Sequence, residues 1–240
     1  MVTGASAGIG YAFATALAAE GYSVTAVARG EAGLRRLVAG LGSGHDYLVA
    51  DLTTRVGLET TAELAGSGEY SLLVNNAGTA THGDFVRLPL ESALTTIDLN
   101  CRAVTTLAHA FLSAAAPGSA LVNVSSTLGH SPKPGLGVYS ASKAFVTALS
   151  ETLWQEQKSR GIHVLALCPG VTATASQSAA DVPAWLVQSP YEVVRRARKA
   201  LSDKNGPVVL TSPVNHLFAA ALRLLPRRAA LALLAEQGES

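Results

Sequence analysis

Short β-branched runs alternate with longer helical patterns along the chain, and this alternation leaves few folds open. Residues 24–28, 47–50, 72–75, 121–125, 164–168 and 208–210 read as strands, and residues 8–19, 31–38, 56–64, 91–115, 139–159 and 191–201 read as helices. The strand runs are continuously apolar (LLVNN, LVNVS, VLALC), as strands covered on both faces are. Strands separated by helices join as parallel neighbours through right-handed crossovers. The expected fold class is α/β, a single-domain, Rossmann-like, doubly wound parallel sheet with helices on both faces. No repeat, low-complexity run or linker divides residues 1–240. A unit of this kind begins with a buried strand leading into a glycine turn. Only Met1, Val2 and Thr3 precede Gly4. The first strand is therefore expected to be truncated, leaving its neighbours short of backbone partners, with the true start upstream; the other reading is a weakened member of its kind.

Composition narrows the function. Hydrophobic residues make up 48% of the 240 and charged residues 15%, with a net charge of +1. That balance excludes a disordered chain and argues against a nucleic-acid binder. Two cysteines, Cys101 and Cys168, exclude a disulfide framework or Cys-rich zinc module and point to a reducing, cytoplasmic compartment. The opening MVTGASAGIG carries no secretory pattern, and no uncharged apolar stretch reaches the length of a membrane span. The six histidines form no HExxH pattern, so no metal is expected. No GxSxG elbow surrounds Ser125 or Ser126, which argues against an α/β-hydrolase.

Two local patterns carry chemistry. Thr3-Gly4-Ala5-Ser6-Ala7-Gly8-Ile9-Gly10 runs directly into the helix-forming AFATALAAEG. Glycines there allow a tight turn and close backbone approach to a pyrophosphate, while the helix start offers free N–H groups. Further on, Tyr139 and Lys143 stand four apart and share one helix face. A neighbouring ammonium favours a phenolate and is expected to draw the Tyr139 pKa towards the working range. Ser126 at the end of a strand can approach the same point and hydrogen-bond a substrate carbonyl; Ser125 competes with it for that role. The strand at 24–28 leads into Arg29 with no carboxylate at Ala28. Arg29 can pair with a 2′-phosphate, or it is only a solvated charge at a strand end.

The TGxxxGxG spacing is followed in order by Asp51-Leu52-Thr53, Asn75-Asn76-Ala77-Gly78, Asn100, Ser125-Ser126, the YxxxK pair Tyr139 and Lys143, and Cys168-Pro169-Gly170 with Thr174. In these landmarks the chain resembles the short-chain dehydrogenase/reductase family, its ketoacyl- and steroid-reductase-like members in particular. The resemblance implies a catalytic set of Asn100, Ser126, Tyr139 and Lys143. Tyr139 would deliver the proton, Lys143 would tune it and hold the nicotinamide ribose, and Asn100 would anchor a relay water. The cofactor would lie against Gly4, Ser6, Gly8, Ile9, Gly10, Arg29, Asp51, Leu52, Asn76, Ala77, Gly78, Tyr139, Lys143, Pro169, Gly170, Thr172 and Thr174. With Arg29 present, the family pattern implies NADP(H) in preference to NAD(H).

By the same resemblance, residues 171–205 form a substrate lid, in which Trp185 and Leu186 offer apolar contact or simply pack, and His130 lies on another wall. No charged anchor stands out, which favours a small, apolar carbonyl or alcohol substrate. Residues 206–240 would supply the last strand and a helical extension, for which packing on the body is favoured over membrane contact. A homodimer or homotetramer is implied, through the helices holding Asn100 and Tyr139. The expected activity is an NADP(H)-dependent carbonyl–alcohol oxidoreductase. The alternatives are the same chemistry with NAD(H), or a dinucleotide-binding sensor or scaffold without turnover.

Overall fold

The computed structural model describes residues 1–173, 184–212 and 226–236. Seven parallel strands form one sheet: β1 (Val2–Thr3), β2 (Thr25–Ala28), β3 (Asp46–Val49), β4 (Leu72–Asn75), β5 (Ala120–Val124), β6 (His163–Cys168) and β7 (Val208–Leu210). Their order is β3-β2-β1-β4-β5-β6-β7. The winding direction reverses at β1, which opens a crevice at the carboxyl ends of β1 and β4.

Neighbouring residues on each central strand point to opposite faces, and each face has its own core. Val2, Val74, Val122 and Leu165 pack with Phe13 and Leu17 of α1 (Gly8–Ala19), Leu34 and Leu37 of α2 (Glu31–Leu41), and Val193 and Ala197 of α7 (Pro190–Ser202). On the other face, Leu73, Leu121 and Val164 pack with Leu58 of α3 (Arg55–Ala65) and with Leu107 and Phe111 of α5 (Val104–Ala114). The long helix α6 (Gly137–Gln157) covers this second face with Leu153 and Trp154. Side chains fix two of the helix starts. Thr54 accepts a hydrogen bond from Gly57 N at 3.2 Å, and α7 carries a reciprocal Ser189–Glu192 capping box with Pro190 behind it. A final helix, α8 (Arg227–Glu236), follows β7. No helix among the described residues is long and apolar enough to cross a membrane.

Two expectations are corrected. The stub β1 does not leave its neighbours short of partners: Val2 and Thr3 pair with Ala26 and Val27, Val74 N donates to Met1 O at 3.0 Å, and the Met1 amino group donates to Leu72 O at 2.8 Å. The segment read as one helix over 91–115 is three pieces: α4 (Leu90–Ile97), a π-helical stretch (Asp98–Ala103) and α5. The wider turn accommodates Asn100, whose side chain is held from outside the helix, and such turns recur at functional sites.

Candidate active site

The glycine turn after β1 is shaped by contact from the next strand in the sheet. Asn76 Nδ2 donates to Thr3 O at 2.9 Å and Gly4 O at 3.3 Å, while Thr3 Oγ1 accepts from the backbone of Asn76 and Ala77, both at 3.0 Å. Gly4 sits at φ +64°, and a Cβ there would stand 2.8 Å from Asn76 Nδ2. A Cβ on Gly10 would overlap the Gly4 carbonyl oxygen. The chain passes too closely here for any side chain. No side-chain oxygen caps the α1 N-terminus and its first turn holds no acid, so its positive end is left for an anion. This is the cradle that a dinucleotide pyrophosphate needs, and the residues present fit that group.

Ser6 lies at the same end of the sheet, its Cβ 2.9 Å from where a Cβ on Gly33 of α2 would sit. Arg29 is exposed at the end of β2, and its charge reaches Asp51. Partial burial pushes the Asp51 carboxyl up, but hydrogen bonds from Thr53 Oγ1 at 2.7 Å and Thr53 N at 2.9 Å, with Arg29 nearby, outweigh it and hold the group below its usual range. Leu52 is buried beside it.

The second half of the site is built where β4, β5 and β6 end against α6. Ser126 follows β5, and its hydroxyl lies near enough to the Tyr139 phenol to draw the phenol pKa down. Ser125 points the other way, donating to Lys143 O at 2.8 Å and meeting Thr147 Oγ1 at 2.7 Å. Lys143 is buried. Its Nζ lies 5.7 Å from the centre of the Tyr139 ring and donates to Val124 O at 2.8 Å. Asn100 is fully buried: Nδ2 donates to Thr79 O and Ser142 Oγ, each at 2.9 Å, and Oδ1 accepts from Thr79 N at 3.0 Å. Both groups border Gly78, where a Cβ would stand 3.1 Å from Asn100 Oδ1 and 3.4 Å from Lys143 Nζ. The structure thus brings Asn100, Ser126, Tyr139 and Lys143 to one place beside Gly78 and the glycine turn.

The electrostatics differ from the sequence expectation. Burial is the largest influence on Tyr139 and raises its pKa; the nearby Ser126 hydroxyl lowers it, and Cys168 adds to the rise. Lys143 is itself penalised by burial, its pKa falling from 10.5 to about 8. Cys168, a small buried thiol at the end of β6, is raised to about 11 by burial, and its Sγ lies 3.7 Å from His130 Nε2. His130 thus stands against Cys168 at the end of β6. Pro169 O accepts from Thr127 N at 3.0 Å, which ties the Pro169-Gly170 turn to the Ser126 loop. Thr172 is buried, with Oγ1 donating to Gly170 O at 3.1 Å. Leu186 is half-buried on a short 3-10 turn, whereas Trp185 is 71% exposed. Thr174, the stretch 174–183 of the expected lid and the tail stretch 213–225 lie outside the described residues.

Sequence reasoning passed over three participants. Ser142 holds the Asn100 amide and donates to Tyr139 O at 2.7 Å; its place three residues after Tyr139, on the same helix face, was the available signal. Thr3 clamps the glycine turn. The Val124 carbonyl anchors Lys143, and no side-chain pattern announces a backbone acceptor.

Comparison with known proteins agrees with this geometry. The short chain dehydrogenase family model matches residues 1–183. The chain is 31% identical over 218 residues to the 3-oxoacyl-[acyl-carrier-protein] reductase FabG of Escherichia coli, covering 85% of this chain and 89% of the relative. It is 38% identical over 181 residues to glycine betaine reductase ATRR of Emericella nidulans, covering 72% of this chain but only 14% of that much longer protein. In structure it matches a short-chain dehydrogenase from Sphingobium yanoikuyae in complex with NADPH, with a TM-score of 0.80, 30% identity, and 94% and 95% of the two chains covered. The glycine turn gripped by Asn76, the tyrosine and lysine on one face of α6, and a family match over three quarters of the sequence lead to one assignment: this chain belongs to the short chain dehydrogenase family of oxidoreductases.

Proposed function

We propose that the protein interconverts a ketone or aldehyde and an alcohol with NADP(H), using Ser126, Tyr139, Lys143 and Asn100. The observation that carries this reading is the Lys143 ammonium over the Tyr139 ring, with the Ser126 hydroxyl near the phenol, beside a glycine cradle fit for a pyrophosphate. The residues that would hold the cofactor are Gly4, Ser6, Gly8, Ile9 and Gly10, Arg29, Asp51 and Leu52, Asn76, Ala77 and Gly78, Tyr139 and Lys143, and Pro169 to Thr172; Thr174 is proposed from the sequence alone. When bound, NADP(H) supplies the hydride exchanged with the substrate carbon.

The remaining work falls to the protein. Tyr139 holds a proton at neutral pH because burial keeps its pKa above the ordinary phenol value, so it serves as the acid towards a carbonyl oxygen. The Ser126 hydroxyl hydrogen-bonds the same oxygen as negative charge builds on it. Lys143 offsets the charge left on the phenolate. Asn100 Oδ1 keeps one lone pair beyond its bond to Thr79, next to Lys143 across Gly78, and there a water can pass protons on. The apolar character of Leu186 and Trp185 and the absence of a charged anchor among the described residues favour an apolar carbonyl compound. The name of the E. coli relative, a reductase of a 3-oxo group, and the NADPH in the Sphingobium structure support the reaction class and cofactor.

Arg29 favours NADP(H) over NAD(H) because its guanidinium can pair with a 2′-phosphate and no carboxylate on Ala28 repels it. The test is fluorescence titration with NADPH and NADH, followed by turnover of ketones with Tyr139→Phe. The expected result is preferential NADPH binding kept in the variant, with turnover reduced about 100-fold or more. Retained turnover in Tyr139→Phe overturns the mechanism.

A further inference from the structure

One well-formed cavity lined by described residues does not belong to the site above. It has a volume of about 800 Å³ and lies at the opposite edge of the sheet, under the amino-terminal ends of β4, β5 and β6, between the carboxyl-terminal ends of α1, α6 and α7. Its apolar floor includes Leu17, Leu72, Ile162 and Trp154. Its walls carry five basic side chains, Lys158, Arg195, Arg198, Lys199 and Lys204, against a single carboxylate, Glu20.

Internal pairing does not use up this charge. Arg198 pairs with Glu20, and Lys199 pairs with Asp203 at 2.7 Å. Glu192, the acid nearest Arg195 along α7, is committed to its capping box with Ser189. Among the described residues no ion pair takes up Lys158, Arg195 or Lys204. The Lys158 ammonium lies 5.6 Å from the centre of the Trp154 ring, so cation and indole meet at one wall of the cavity. Cations at helix carboxyl ends complement the helix dipoles. That explanation does not extend to Arg195, which sits midway along α7, or to Lys204, which lies beyond it.

We propose that this cavity is a second ligand site for an amphipathic anion: an apolar body seated on Trp154 and the floor, with its carboxylate or equivalent head between Lys158, Arg195 and Lys204. The shape is concave and mostly apolar with a few convergent charges of one sign, as small-molecule sites are. The proposal is independent of the assigned redox chemistry, because none of these residues approaches Tyr139 or the glycine turn.

The test uses decanoate as the probe and Trp154 as the reporter. In the full chain carrying Trp185→Phe and saturated with NADPH, Trp154 is the only indole left. Saturable change in Trp154 emission on adding decanoate is expected at submillimolar concentration. It should weaken at least tenfold in a Lys158→Ala, Arg195→Ala double variant and persist in Tyr139→Phe. Both substituted side chains line the cavity from the surface, so ketone turnover by the double variant should match that of the parent and show that it folds. Equal binding of decanol removes any role for the charge and overturns the proposal. So does equal binding of inorganic phosphate, which would show the apolar floor to be idle. No emission change up to several millimolar decanoate, or undiminished binding in the double variant, also overturns it.

Discussion

Replacing Lys143 by methionine should abolish turnover and, at neutral pH, leave the protein as stable as before or more so. The Lys143 ammonium is buried with one backbone acceptor, Val124 O, and no carboxylate partner among the described residues. Its pKa falls from 10.5 to about 8, which corresponds to a folded-state penalty of about 3 kcal/mol. Between those two values the unfolded chain binds more protons than the folded one, so stability rises with pH across the window and the full penalty applies below about pH 8. Methionine keeps the apolar stem but leaves the Val124 carbonyl without its donor, a cost of about 1–3 kcal/mol. The net change at pH 7 is therefore a gain of roughly 0–2 kcal/mol. The carbonyl cost does not depend on pH, and that isolates the charge. Urea unfolding of both proteins at pH 7 and pH 10 should show the parent gaining about 2–3 kcal/mol relative to the variant at the higher pH. A stability difference that does not move with pH, or one that moves the other way, refutes the claim that this lysine is held at a cost for its chemistry.

Three further outcomes follow from the geometry. The rate of carbonyl reduction should fall as pH rises through about 8, because Lys143 loses its charge there and the phenolate loses its support; a flat profile to pH 9.5 argues against it. Arg29→Ala should weaken NADPH binding about tenfold or more, the worth of a charge-assisted contact, with little change for NADH; equal losses for both would make Arg29 a solvated charge. Gly10→Ala should lower the melting temperature and the affinity for the dinucleotide, because its Cβ meets the Gly4 carbonyl, whereas Gly40→Ala, inside α2 with nothing within 4 Å, should melt no lower than the parent.

Strands β2 to β7 were legible because each is a short, mainly apolar run, and helices α1, α2, α3, α5, α6 and α7 because each presents a face to one of two cores. The π-helical stretch was not. Nothing in DLNCRA signals an extra residue per turn, since the turn is set by Thr79 and Ser142 reaching Asn100 from elsewhere. The pairing of β1 with both neighbours could not be read from three residues, because it depends on where β2 and β4 place their backbones. Spacing suffices to put Tyr139 and Lys143 on one face and Ser126 within reach of them. The direction of the Tyr139 shift was misread for a physical reason: sequence shows which charges are near, but burial, which dominates here, is a property of the packed molecule.

The clamp of Thr3 and Asn76 on the glycine turn also has a bearing on how the molecule is made. Contacts 73 residues apart in the chain fix the position of the turn, so its shape cannot be set by the first βαβ unit alone. Closing so long a loop carries an entropy cost that only a formed sheet offsets. During synthesis the cradle therefore stays unshaped until β4 has left the ribosome and docked, and a fragment ending before Asn75 should fold, at most, into a scaffold without grip on a dinucleotide. Cofactor affinity in this protein is thus a gauge of how completely its first half has been assembled.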